Sequence, residues 1–433
     1  MKVLVVGGGA REVSLAWKCV QSPTTKHVYL TPGNGGVERF GIKRVPIIPK
    51  DYESFGSLAK FARRKKIDLI VVGPDHLIAM GLVDYLRLHG FVVLGPTRDA
   101  GKIEWWKPFG KAVMVRCGIA TAPYRVFDNY HEARAYVEEY GVPIVIKAAG
   151  LALGKGAFLC RTMEKAFAAL YSLMVQKVHG TAGECVVVEK FLVPSGIEEF
   201  SAHALVSGRS SRLFPMSQDH KHIGEGDTGD MTGGTGVVLP INMPRDVCKE
   251  VKNVLNKTIN RMHRKGATYD GFLYPGFMQT TEGIMLLEYN ARGGDPEIPA
   301  YMRHLKSDLP AALYACATRD LSQVRLHWHE GAVANVVLMS RGYPTLELDI
   351  GYPITGIEEA ERIPGVVVFH AGVEEVDGTL YTAGGRVLNI TATGSTLKEA
   401  LERAYQAADI IKFEGKYYRR DIGRKALEHG LAP

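Results

Sequence analysis

Hydrophobic and polar positions alternate in a regular way over the first hundred residues. Val3–Val6 is an apolar run, Gly7-Gly8-Gly9 is a turn, and Arg11–Val20 has helical spacing. His27–Leu30, Ile67–Val72 and Val92–Leu94 are further apolar runs, closed by Pro32-Gly33-Asn34-Gly35-Gly36, Gly73-Pro74 and Gly95-Pro96-Thr97. A helix over Tyr52–Lys65 and another after residue 74 separate them. Strand and helix in alternation predict a doubly wound parallel sheet, with ligands at the carboxyl ends of its strands.

The middle of the chain reads differently. Pro143–Lys147, Gly156–Cys160 and Cys185–Phe191 are short strands around a helix Met163–Gln176. Next come an alternating strand Glu199–Val206, a polar glycine-rich loop over 217–236, a helix over 244–264, and strands Tyr274–Gln279 and Met285–Glu288. This is an α+β pattern. From about 325 the chain is rich in strands (Ala332–Met339, Val366–His370, Arg386–Ala392) and ends in a helix Thr396–Ile411.

Composition bounds the function. A length of 433 residues provides for about three domains and several real cores, without metal or disulfide staples. Hydrophobic residues at 46% and charged residues at 23% exclude a disordered, collagen-like or coiled-coil chain. No apolar run approaches the roughly 18 residues of a membrane span, and the short run at the N-terminus reads as a first strand rather than a signal peptide. The net charge of +7 is a modest excess over a large surface, and the basic runs are short and without interleaved aromatics, which points to phosphorylated small molecules rather than nucleic acid. The six cysteines form no CxxC pair, so zinc and dithiol sites are not expected, and a reducing cytoplasm is.

Gly7-x-Gly9-x-x-Glu12 lacks the third glycine of a dinucleotide fingerprint, a position where Glu12 is expected to keep helix and strand apart. A phosphate-bearing ligand at this helix start, met by backbone N–H groups near Gly9 and by Arg11, fits better. Lys147 to Gly156 looks like a P-loop but has Ala149 for its first glycine and Gly156 where a Ser or Thr is needed. A flexible flap over a polyphosphate, with charge from Lys147 and Lys155, is the better reading. Ser217–Lys221 with 224–236 suits a loop that orders around an anionic substrate, with Asp219 and Lys221 as candidate catalytic groups. In Glu288-Tyr-Asn290-Ala-Arg292, two hard oxygen ligands two residues apart project from one strand face and suit Mg²⁺, or Mn²⁺, alongside phosphates. Arg292 is placed to clamp a phosphate, and Asp295 and Glu297 to receive an ammonium group.

In order and spacing these stretches resemble the phosphoribosylamine–glycine ligase (glycinamide ribonucleotide synthetase) family of the ATP-grasp superfamily. The likeness also rests on Gly95-Pro96-Thr97, Lys107, Thr232-Gly233-Gly234, Phe369–Gly372, Gly384–Val387 and Arg420–Gly423. It implies a substrate domain over 1–101, an ATP-grasp domain of two α+β subdomains over 102–325 with a mobile part at about 122–192, and a strand-rich α+β domain over 326–433. It implies adenine against Glu189, Lys190, Phe191 and Leu192, ribose on Glu198 or Glu199, phosphates on Lys107, Lys147 and Lys155, and metal on Glu288 and Asn290. Phosphoribosylamine and glycine fall to Gly9, Arg11, Glu12, Asn34, Gly73, Pro74, Asp75, Asp219, Asp295 and Glu297. The implied reaction joins glycine to 5-phosphoribosylamine at the expense of ATP, in a cytoplasmic monomer or weak dimer with no membrane or nucleic-acid partner.

The chain departs from the family pattern at Val13 (usually His), Asp75-His76-Leu77 (Glu-Ala-Pro), Trp105-Trp106 (Gly-Ser), Ala149 (Asp), Met231 (Asn) and Gly293 (Phe). These leave two alternatives open. One is an ATP-grasp ligase for another amino acid or amine. The other is an ATP-binding protein without turnover.

Overall fold

The computed structural model describes every residue except 153–155, 346 and 433. The apolar run at the N-terminus becomes the central strand Lys2–Gly7 of a parallel sheet ordered Lys43–Arg44, His27–Pro32, Lys2–Gly7, Leu69–Val72, Val93–Leu94. Alternate residues of one strand feed two cores. Val3 and Val5 pack against the helix Ala10–Val20, and Leu4 and Val6 against Phe55 and Leu58 of the helix Tyr52–Lys65. Burial on both faces is what a continuous β-branched run requires, and the sheet is doubly wound as expected.

A second, antiparallel sheet follows, ordered Tyr124–Phe127, Val186–Lys190, Ile144–Ala148, Ala157–Cys160. Its apolar face packs on the helices Tyr130–Tyr140 and Met163–Leu170. The helix expected through Gln176 stops being α-helical at Leu170 and continues as one π-helical turn, Tyr171–Val175.

Strands Pro194–Ser201, Ala204–Ser207, Ser210–Leu213 and Gly283–Asn290 assemble around Asp270–Thr280. The single strand expected over Glu199–Val206 is broken at Ala202-His203. The pairing of Ser201 with Gly276 and of Ala204 with Leu273 sets Ala202 opposite Pro275, which has no N–H to give the ladder.

The largest correction concerns the glycine-rich loop. Residues 217–236 form most of a hairpin, Gln218–Gly224 with Thr228–Leu239, and its second strand pairs with Ala332–Met339 of a sheet completed by Arg386–Gly394 and Val366–His370. Several of its glycines serve close packing rather than looseness. A Cβ at Gly236 would lie 2.7 Å from Ile422 Cδ1, and one at Gly234 2.5 Å from Pro296 Cδ. The turn is tied down as well. The fully buried Arg419 pairs with Asp227 at 2.8 Å and with Asp421 at 2.8 Å, while Lys425 bridges Asp227 and Glu198, each at 2.7 Å. This hairpin is not a free flap. Among the described residues, no helix is long and apolar enough to cross a membrane.

Candidate functional site

A cavity of about 300 Å³ opens where the three sheets carrying the motifs converge. Its wall on one side is the end of Gly283–Asn290. A register shift against Asp270–Thr280, between Gly276 and Phe277, leaves Leu287 without a partner, and Leu287, Glu288 and Asn290 all reach the cavity. Burial disfavours the Glu288 carboxylate, but Lys147, Lys107 and Lys221 outweigh it and hold its pKa below the usual range. Asn290 Oδ1 accepts from Arg292 Nη2 at 3.1 Å, and its Nδ2 donates to Tyr274 O at 3.4 Å.

The opposite wall is cationic. Lys107, Lys111 and Lys147 line it with Glu189. Glu189 Oε2 is 3.0 Å from Lys147 Nζ, and its Oε1 is 3.1 Å from Lys111 Nζ. Burial works against the Lys147 charge, yet Glu189 and Glu288 raise its pKa above the ordinary value. Lys111 is pushed down to about 8, by burial first and by Lys147, with Glu189 pulling the other way. Burial, with Lys147 adding to it, also lowers Lys107, whose Nζ reaches Gly150 O at 3.4 Å. Lys155 lies outside the described residues.

Of the expected adenine segment, Glu189 alone reaches the cavity. Lys190 is exposed, and the Phe191 ring lies 5.0 Å from the Arg161 guanidinium. The neighbouring glutamates separate clearly. Glu198, at φ 66°, turns to Lys425, while Glu199 sits within the field of Asp219, Lys221, Glu288 and Lys147 and is pushed up to about 7, by burial first and then by Asp219.

On the N-terminal side, Arg11 and Asp75 line the cavity. Arg11 Nε meets Glu12 Oε1 at 2.5 Å, and Arg11 Nη1 donates to Gly293 O at 3.2 Å. Burial opposes the Asp75 carboxylate, but the hydrogen bond with His76 and the charges of Arg292 and Arg11 lower its pKa overall. Glu12 does not hold helix and strand apart. It is buried, and the room comes from glycines on two strand ends. A Cβ at Gly7 would lie 2.3 Å from Glu12 Cγ, and one at Gly73 2.1 Å from Glu12 Oε1. Glu12 Oε2 also accepts from Gly9 N at 3.0 Å, so that backbone donor is already used. Pro74 caps the short helix that Asp75 begins. Asn34 is away from the cavity wall. Its Nδ2 donates to Gly8 O, His370 O and Ala371 O at 2.8–3.0 Å, joining the first sheet to the last.

The hairpin contributes Lys221, whose Nζ is 2.5 Å from Asp219 Oδ2. Burial acts against both charges, but each holds the other ionised: Asp219 is lowered and Lys221 raised. Ser201 Oγ touches Asp219 Oδ1 at 3.1 Å, Tyr274 Oη at 2.9 Å and Glu297 Oε1 at 3.4 Å. Burial and Asp219 raise Glu297, against the pull of Lys221. Asp295 is 3.4 Å from Arg386, a residue from the last sheet that also donates to Gly233 O at 2.7 Å.

Among the polar lining groups, Glu104, Lys111, Tyr274 and Arg386 had no role assigned from the sequence, although Arg386 lies in the Gly384–Val387 stretch. Of these, Lys111 carried a visible signal, since it lies one helical turn after Lys107, on the same face. The departures are placed too. Trp105 Nε1 donates to Arg98 O at 2.9 Å, and neither Trp105 nor Trp106 lines the cavity. Val13 is core, Ala149 is buried, and Met231 is on the cavity wall. The space next to Gly293 is taken by Ile298, whose Cγ1 is 2.5 Å from where a Cβ would sit. Among the described residues no three His, Cys, Asp or Glu side chains group as a metal site. Glu288 and Asn290 supply one carboxylate and one amide oxygen, so a divalent ion there needs oxygens from the ligand. That donor set fits Mg²⁺ held against a polyphosphate.

The chain matches three family descriptions in order: "Phosphoribosylglycinamide synthetase, N domain" over 1–104, its "ATP-grasp (A) domain" over 106–298, and its "C domain" over 333–425. It is 42% identical over 432 residues to a phosphoribosylamine–glycine ligase of Chlorobaculum tepidum, covering 99% of this chain and 100% of the relative. It is also 42% identical over 429 residues to that of Agrobacterium fabrum, covering 99% of each. The crystal structure of the phosphoribosylamine–glycine ligase of Thermotoga maritima superposes with a TM-score of 0.81 at 32% identity, over 98% of this chain and 100% of that one. A biotin carboxylase domain of Hydrogenobacter thermophilus 2-oxoglutarate carboxylase, solved with MgADP, has a TM-score of 0.70 at 15% identity over 99% and 93% of the two chains, a likeness of fold alone.

Proposed function

The chain belongs to the phosphoribosylglycinamide synthetase family, and on that premise we propose that it is the ATP-dependent ligase joining glycine to 5-phosphoribosylamine. The products are glycinamide ribonucleotide, ADP and phosphate, a step of purine biosynthesis. The observation that carries the reading is one cavity with a cationic wall of Lys107, Lys111 and Lys147 facing Glu288, Asn290 and Arg292, and with Arg11 and Asp75 of the first sheet on its rim.

The chemistry needs that arrangement. A glycine carboxylate oxygen attacks the γ-phosphorus, ADP leaves, and an acyl phosphate forms. The neutral amine then attacks the acyl carbon, loses a proton, and phosphate departs with the C–O bond electrons. Little covalent work falls to the side chains, which align oxygens and offset charge. In our reading Lys147 and Lys107 hold phosphates, Glu199 rather than Glu198 takes the ribose hydroxyls, and Glu189 lies beside the base. Arg292, Lys221 and Asp219 surround the reacting carboxyl group. Glu288 and Asn290 would hold Mg²⁺ or Mn²⁺, which would supply charge neutralisation to the phosphates. Asp295 and Glu297 receive the glycine ammonium. Gly9, Arg11, Glu12, Gly73, Pro74 and Asp75 shape the phosphoribosylamine side, with Asn34 fixing the loop behind them. Closure of the sheet over about 122–192 keeps water from the acyl phosphate.

We place the enzyme in a reducing cytoplasm, in keeping with six free cysteines. We propose a monomer or weak dimer. The test is phosphate release from ATP by purified protein with Mg²⁺ and both co-substrates. Release that requires glycine and phosphoribosylamine together supports the reading. Release driven by another amino acid but not by glycine overturns it, and favours a substrate shift at Met231 on the cavity wall.

A further inference from the structure

Glu104 lies just before Trp105-Trp106-Lys107 and is not among the residues given a role from the sequence. It is the second-to-last residue of the helix Arg98–Trp105 and is buried at the cavity wall. Its two carboxylate oxygens take different partners. Oε2 accepts the backbone N–H of Ala291 at 2.6 Å, and Oε1 is 3.1 Å from Arg292 Nη2. The same Nη2 lies 3.1 Å from Asn290 Oδ1. One side chain thus fixes the backbone just after Asn290 and the guanidinium just beyond it, and the guanidinium in turn orients the Asn290 amide.

The need for such a clamp is physical. An arginine side chain has rotamer entropy to lose on being fixed, and its planar fork works only at a set angle. The other contacts of Arg292 are weak constraints. Nη1 donates to Gly293 O at 3.2 Å, and Nε is buried without a hydrogen-bond partner. Glu104 is the one carboxylate in direct ion pairing with Arg292 among the described residues. It comes from a helix that leads into Lys107, so it ties both walls of the cavity together.

We propose that Glu104 is a positioning residue for the reaction: it holds Arg292, and through Arg292 the amide oxygen of Asn290, in register with the phosphoryl group bound in the cavity. The proposal rests on the roles given to Arg292 and Asn290 above. It needs both carboxylate oxygens. Gln keeps the volume but has one acceptor, so it loses either the Ala291 N–H or the guanidinium. Asp keeps the charge and both acceptors at shorter reach.

The experiment is a double-mutant cycle with Glu104→Gln and Arg292→Lys, measured as phosphate release dependent on glycine and phosphoribosylamine, with melting temperatures taken on each protein. The expected result is a kcat about 10²-fold lower for E104Q, the cost of a small misplacement of reacting groups. KM for ATP stays within about 3-fold and E104D is intermediate; the melting temperature falls because one partner of a buried pair is lost, but kcat measured well below the transition, where the protein stays folded, still shows the full loss. In the R292K background E104Q adds less than about 3-fold, because the group it acts through is already altered. An equal fold-loss in both backgrounds, or loss of melting temperature with an unchanged kcat, overturns the proposal. If E104Q does not melt cooperatively, E104D takes its place in the cycle. Wild-type turnover independent of glycine removes the ligase reading itself, which is a different outcome from an additive cycle in a glycine-dependent enzyme.

Discussion

Lys147 Nζ and Glu189 Oε2 lie 3.0 Å apart on neighbouring antiparallel strands, beneath the same cavity. Val145 pairs with Glu189 and Lys147 with Val187, so the two residues are diagonal neighbours on one sheet face. Glu189 also holds Lys111, and removing either partner leaves a buried charge exposed to the others. Lys147→Met is expected to raise KM for ATP about 10-fold or more and to lower kcat. Glu189→Gln is expected to lower ATP affinity less, because it frees both lysines for phosphate. Steady-state kinetics and calorimetric ATP titration check both; unaltered ATP affinity in Lys147→Met would remove the lysine from the phosphate site.

Glu288 and Asn290 are the two oxygen donors that face the lysines. Glu288→Gln keeps shape and loses charge, so apparent Mg²⁺ affinity should fall by about 10-fold or more, and turnover with it. A Mg²⁺ titration of phosphate release reads this directly. A near-normal rate at low Mg²⁺ would mean that the metal sits elsewhere.

Gly73 is expected to tolerate no side chain. Its Cβ would fall 2.1 Å from Glu12 Oε1, and that carboxylate in turn holds Gly9 N and Arg11 Nε. Gly73→Ala should therefore raise KM for phosphoribosylamine by about 10-fold and leave KM for ATP almost unchanged. An equal change in both constants would instead indicate a general disturbance of the fold.

Arg419 is 1% exposed and serves Asp227 and Asp421. Replacing it by Met leaves Asp421 without its ion pair and Asp227 with Lys425 alone, next to the hairpin turn. Breaking a buried pair from one side costs about 3–5 kcal/mol, so Arg419→Met should melt well below the wild type in a thermal scan. Because the hairpin carries Asp219 and Lys221, residual kcat at low temperature should fall as well. A variant with wild-type melting would show the turn to be held by its backbone alone.

His370 is fully buried, with Nδ1 2.7 Å from Gly35 O, and burial lowers its pKa to about 4, with that hydrogen bond pulling the other way. The folded state therefore binds this proton more weakly than the unfolded chain, whose histidine titrates near 6.5. The stability from keeping His370 neutral is present above about 6.5 and is lost as pH falls from there toward 4, at about 1.4 kcal/mol per unit. His370→Gln should flatten the acid limb of melting temperature against pH by that one proton. An unchanged acid limb would show that His370 binds its proton equally well in the folded and unfolded states.

The sequence by itself determined most of the elements and the order of the motifs. Val3–Val6 had to be a doubly covered strand because every residue in it is apolar, and Glu288 and Asn290 had to share a face because strand side chains alternate. Local pattern also gave the helices Tyr52–Lys65 and Arg245–Arg264 almost to the residue. What it could not give depends on partners distant along the chain. The glycines of 224–236 read as a loose loop until Ile422 and Pro296 are seen to occupy the space next to them. Glu12 read as too large for its turn until Gly7 and Gly73 made room on two other strand ends. Glu104 and Arg386 become site residues only because a helix and a strand distant from the other motifs bring them to the same cavity. A one-dimensional pattern records which residues are buried or exposed along their own element; which charges meet is decided when the sheets pack.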